Sequence, residues 1–131
     1  MNKVRTISAA MFFVSALACQ AAEAPKLDGE WHIMSVTGAD GIDSGKAVLK
    51  FDGGHASGTI GCNRIAGGYK SSGDTFTFGA MAATMMACPP PLDMQEQAFL
   101  KALENVKTVA IKGDEAALKS GDGATLIELK R

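Results

Sequence analysis

The stretch "AVLKFDGGHASGTIGC", residues 47–62, followed by "GGYKSSGDTFTFG", residues 67–79, sets the architecture of this chain. "AVLKF" is a short apolar-rich run, and Asp52-Gly53-Gly54 turns it. "HASGTIGC" then returns as its partner, since glycines in a two-residue turn supply the positive φ angles a tight hairpin needs. The second piece repeats the pattern. Ser72-Gly73-Asp74 divides two strands, with Phe76 and Phe78 on one face and Thr75 and Thr77 on the other.

The same signals extend in both directions. Upstream, "GEWHIMSV" (29–36) alternates, with Trp31 and Ile33 on one face and His32, Met34 and Val36 on the other. Both faces carry apolar residues, which predicts a strand covered on both sides. Downstream, residues 107–130 hold three short strands separated by Gly113-Asp114 and Gly121-Asp122-Gly123. Between the two sets lies the single helix, predicted over 93–105. Asp93 is placed as N-cap, with Glu96 at the capping-box spacing. Met94, Ala98, Leu103 and Val106, joined by Phe99 and Ala102, form its apolar stripe, and Gln95, Gln97, Lys101 and Glu104 its wet face. The fold class expected is α+β and mainly antiparallel β. It is a compact barrel-like sheet of about eight short strands, with one helix inserted before the last three.

The chain starts with a different kind of segment. Residues 1–18 carry Lys3 and Arg5, then an apolar run from Ile7 to Ala18. That is the layout of a secretory signal, and it is too short for the roughly 20 residues of a membrane-spanning helix. Two readings of the cleavage stay open. "ALAC" resembles a bacterial lipobox that would make Cys19 a lipid-bearing N-terminus, with Ala16 where Leu is usual. Alternatively a signal peptidase cuts after Ala18 or a nearby alanine. The expected domains are therefore a signal at 1–18, a tether at 19–27 and one folded domain at 28–131. The expected location is the periplasm, or the outer membrane by a lipid anchor.

Export fixes what charge and cysteine mean. The whole chain has a net charge of −1; without Lys3 and Arg5, 11 basic residues face 14 acidic ones, a net of −3. The basic residues are scattered, which excludes the cationic surface that nucleic acid requires. Of three cysteines, Cys62 and Cys88 remain once Cys19 is set aside. In an oxidising compartment that pair favours one disulfide.

Two sharper readings of "TIGCNRIAGG" (59–68) and "TMMACPPP" (84–91) compete with it. Cys62 beside Asn63 is a candidate nucleophile, with His32 or His55 as its base, but each histidine lies inside an expected strand and an exported thiol oxidises. Cys62, Cys88, His32 and His55 make a Cys₂His₂ set without the spacing of a zinc site. Met81, Met85, Met86 and Met94 suit copper(I) by softness, or they fill the core. The glycines at 61, 67 and 68 and Asn63 read most simply as an irregular corner pinned by the disulfide.

Taken together, "DGEWHIMSV", "SGTIGCNRIAGGY", "TFTFGAMAATMMACP" and the closing "LIELKR" resemble the META domain, or HslJ-like, family over about residues 27–131. The resemblance implies a small bacterial envelope protein, often a lipoprotein and in part linked to heat shock. It implies a compact antiparallel barrel and no established enzymatic activity. It also marks Gly61, Asn63, Gly68, Tyr69, Thr84 and Met86 as motif positions around the cysteines. The function expected is non-enzymatic and stress-related, through contact with an envelope protein, in a monomer with no cofactor. The alternative is a periplasmic binder of a small ligand or a copper-type metal.

Overall fold

The computed structural model describes residues 27–131. The expected signal at 1–18, the lipidation site Cys19 and most of the tether lie outside the described residues. Leu27, at the tether's end, is buried, and its carbonyl accepts the Trp31 indole N–H at 2.7 Å.

Eight strands form one closed antiparallel ring: β1 Gly29–Val36, β2 Val48–Asp52, β3 His55–Thr59, β4 Arg64–Ser72, β5 Thr75–Ala83, β6 Thr108–Lys112, β7 Glu115–Lys119 and β8 Thr125–Lys130. Each strand pairs with its sequence neighbours, and β8 closes on β1. The hairpin at Gly53-Gly54 forms as expected, with both φ angles positive at 54° and 90°. Seven seams run as ladders of several pairs. The β5–β6 seam has one pair, Thr75↔Thr108, flanked by bonds from Phe76 N to Lys107 O and from Val109 N to Asp74 O.

The helix α1, Leu92–Asn105, leads into that gap and packs on β1, β5 and β8. Its Phe99, Ala102 and Leu103, with Val106 just beyond, join the core. The barrel is closed by hydrogen bonds all round, most sparsely at the β5–β6 seam, and the helix packs across β1, β5 and β8. Its interior is filled: Trp31, Phe51, Phe76, Phe99, Ile33, Leu49, Leu118 and Ile127 are all under 2% exposed. Burying one such side chain stabilises by about 1.5–3 kcal/mol.

Three local expectations differ from the structure. β1 is covered on one side only. Met34 is exposed on the outer face with His32, and a register shift between Ile33 and Ser35 turns Val36 back into the core. A bulge adds one residue, so the strict two-residue alternation breaks there. In α1 the buried face includes Gln95, while Met94 is 65% exposed. Gln95 is tolerated inside because its Nε2 donates to the Asp40 carbonyl at 2.8 Å. The capping box does not form. Pro91 occupies the N-cap without a side-chain bond, and Asp93 Oδ1 accepts from Met94 N.

At the far end of the barrel, Tyr69 stacks on Phe76 at 5.0 Å and meets Phe51 edge-on at 5.4 Å. Its hydroxyl donates to Asp28 Oδ1 at 3.3 Å. Burial pushes the phenol above its ordinary value of 10.0; a Gly54 backbone bond pulls the other way, and the Asp28 and Asp52 carboxylates add to the rise. A raised folded-state pKa gives stability that is complete below the unfolded pKa and is lost as pH rises through the folded one. Unfolding by urea between about pH 8 and about pH 11 should therefore show wild type losing stability more steeply than Tyr69→Phe. Equal slopes would contradict this.

Candidate functional site

The corner at residues 60–63 and the segment 84–88 meet at the end of the barrel where α1 begins. Gly61 has φ +127°, a conformation that L side chains rarely adopt, and this bends the chain between β3 and β4. Next to it Cys62 bonds Cys88, with Cα atoms 6.0 Å apart. The staple expected from cysteine count and export is present. Both cysteines are half-buried, so the bond lies near the surface.

Asn63 organises the corner. It is 4% exposed and every polar atom of its side chain is used. Its Oδ1 accepts from Met86 N at 2.8 Å and from Thr84 Oγ1 at 3.0 Å. Its Nδ2 donates to Glu96 Oε2 at 2.8 Å and to Met86 O at 3.1 Å, with Cys88 Sγ a weaker acceptor at 3.3 Å. The Asn63 backbone N–H reaches the other Glu96 oxygen at 3.2 Å. Thr84 extends the set, since its Oγ1 also accepts from Arg64 N at 2.9 Å. One amide thus ties together β4, the loop after β5 and α1.

This geometry corrects two expectations about the corner. Among the described residues none but glycine has positive φ, so Asn63 is there for its side-chain bonds and not for left-handed geometry. Gly67 and Gly68 have ordinary φ values and lie inside β4. Gly67 is needed for closeness: a Cβ there would sit 2.5 Å from Met81 Sδ and 2.7 Å from Ala80 O. Gly68 pairs with His55. Of the six motif positions, Thr84 and Met86 both bond to Asn63, and Gly61 adjoins them. Tyr69 and Gly68 lie further along β4, toward the Asp28 end. Sequence reasoning missed Glu96, because its spacing from Asp93 already suggested a cap.

The thiol-based chemistries lose their groups. With both sulfurs bonded, neither Cys62 nor Cys88 is available as a nucleophile or a thiolate ligand. His32 is exposed, with Nδ1 2.8 Å from Ser44 O, and His55 is exposed on β3 beside the Asp52 turn. Among the described residues, no group of three or more His, Cys, Asp or Glu side chains is gathered for a metal.

The methionines divide. Met81 packs partly buried against the core. Met85 is 94% exposed and Met86 59%. Core filling therefore fails as an account of these two and of Met94. Glu96 points at Asn63. Met94, two residues earlier, is rotated about 200° from it around the helix, so it is not part of the same patch. What remains is a rigid loop showing two adjacent thioethers. Its backbone is held at Met86 N, at Met86 O and at Cys88, while both side chains face water.

The family model for the META domain matches residues 24–131. Among solved structures, an NMR structure of a protein from Burkholderia xenovorans is 27% identical, covers 79% of this chain and 81% of its own, and has a TM-score of 0.61. A second NMR structure is 23% identical over 77% of this chain and 86% of that one, with a TM-score of 0.60. A crystal structure of a DUF4847 family protein from Bacteroides vulgatus is 17% identical over 79% and 92%, with a TM-score of 0.57. The last two likenesses concern the fold alone. No curated protein matches the chain.

Proposed function

The chain belongs to the META domain family, and on that premise we propose that it is an exported, non-enzymatic protein of the bacterial envelope that docks a protein partner in a role tied to envelope stress. The observation that carries the reading is the exposure of Met85 and Met86 on a loop that Asn63 and the disulfide hold still. Exposed thioethers adapt to varied surfaces and recur where proteins bind several partners. A loop already fixed loses little conformational freedom on binding, which leaves more of the contact energy as affinity. A filled barrel supports an outer surface over an enclosed chamber as the place of action. The disulfide supports export, since such bonds persist in oxidising compartments.

Affinity capture from envelope extract, with and without heat or oxidative stress, tests the reading. Wild type should retain a discrete partner, and Met85→Glu/Met86→Glu should lose it with thermal stability unchanged, because both side chains are outside the core. No partner under any stress, or equal capture by the double variant, would overturn it.

A further inference from the structure

A second surface lies on the other flank of α1 and has no part in the methionine loop. Ala98 and Ala102 face Gly38 and Leu126 across a groove of about 720 Å³. The groove exists because the side chains are small where the walls approach: a Cβ on Gly38 would already be 3.8 Å from Ala98 Cβ. The wall opposite the helix is fixed, since Thr37 N donates to Leu126 O at 2.8 Å and Thr37 Oγ1 to Thr125 O at 3.1 Å. The volume lies within the 300–1,000 Å³ usual for small-molecule sites, and the floor is mostly apolar.

The polar groups gather at the mouth. Lys101 and Lys107 are both exposed there, and neither forms an ion pair among the described residues. Asp122 is also at the mouth, but Ser120 Oγ and Ala124 N hold its carboxylate within its own turn, which keeps it ionised below the usual range. The last carbonyls of α1 add about half a negative charge, and Asn105 Nδ2 covers one of them, at Lys101 O. Two full positive charges thus exceed one self-bonded carboxylate and the helix end. The mouth is positive on a chain whose net charge is −1.

We propose that this groove binds a small amphipathic molecule: an acyl chain along Ala98, Ala102 and Leu126, with one anionic head group between Lys101 and Lys107. A carboxylate and a phosphate monoester share that head-group chemistry. The test is NMR titration of the folded protein with decanoate, decyl phosphate, decanol and decyltrimethylammonium, each below its micelle concentration. Saturable binding of decanoate, of decyl phosphate or of both is expected, with shifts centred on Gly38, Ala98, Ala102 and Leu126. Which anion binds tells a free acid from a phosphate ester. The cationic amphiphile should bind at least about tenfold more weakly. Lys101→Glu/Lys107→Glu, two exposed changes compatible with folding, should reverse the order of the charged heads, and Ala98→Phe should block all four. No saturable binding by either anion would overturn the proposal. So would equal affinity for the cation, or shifts centred elsewhere. The methionine-loop capture is independent of all these outcomes.

Discussion

Replacing Cys62 and Cys88 together by alanine is expected to lower the unfolding free energy by about 3–4 kcal/mol. The staple closes a loop with a sequence separation of 26, and the chain-entropy relation gives that figure for such a loop. Total stability of a domain this size is about 5–15 kcal/mol, so the loss is a large share. At about 4–8 °C per kcal/mol for a domain of roughly 100 residues, the melting temperature should drop by about 12–32 °C. Thermal melts and urea unfolding of the double variant check this, and a loss below about 1 kcal/mol would contradict it. A second consequence concerns coupling. Asn63 and the disulfide hold the same segment, 84–88, so the cysteine variant combined with Asn63→Ala should deviate from additivity.

Asn63→Ala is the second large effect. It removes the side-chain amide that Glu96, Met86 and Thr84 share at this corner, while the backbone N–H of residue 63 stays on Glu96 Oε1. Thr84 and Met86 are exposed enough for water to replace their bonds, while Glu96 is half-buried. Leaving a buried polar group unpaired costs about 1–3 kcal/mol, and more when it is charged. Glu96 keeps the backbone N–H of residue 63 as one partner, so a loss of about 1–3 kcal/mol follows. Asn63→Asp should cost more at neutral pH despite its matching shape, because it faces a second carboxylate where Nδ2 now lies 2.8 Å from Glu96 Oε2. One of two such carboxyls must take up a proton. The deficit of Asn63→Asp should therefore shrink as pH falls toward about 4, and Asn63→Asp/Glu96→Gln should recover most of it at pH 7. Indifference to pH, or no recovery with Glu96→Gln, would show that the contact with Glu96 carries little of the energy.

The parts of the fold that were legible in the sequence are those set by local patterns. Asp52-Gly53-Gly54 and Gly73-Asp74 punctuate strands whose alternation is short and clear. The helix is marked by its apolar period, and its bounds fall within one residue of the expected ones. Misread positions are those decided by partners distant in sequence. Gln95 looks solvent-facing on a helical wheel, and only the Asp40 carbonyl explains its burial. Glu96 looks like half of a capping box, yet its carboxylate turns to a side chain 33 residues away. Val36, on the outer face by strict alternation, turns inward because one extra residue in β1 shifts the register against β8. In the candidate site, cysteine count and the expected export suggested the pairing, and the structure contains it. The exposure of Met85 was not readable, because a methionine beside a cysteine in an apolar run suits a core equally well.

On the proposed reading this corner is the mount of a docking loop. Photocrosslinking in intact cells decides it, with a photoreactive residue in place of Met85 and, as control, in place of the exposed Lys50 on β2. A discrete higher-mass adduct is expected from position 85, absent from position 50 and reduced when Asn63→Ala loosens the loop. Crosslinks that are absent at 85, or equal at both positions, would contradict it.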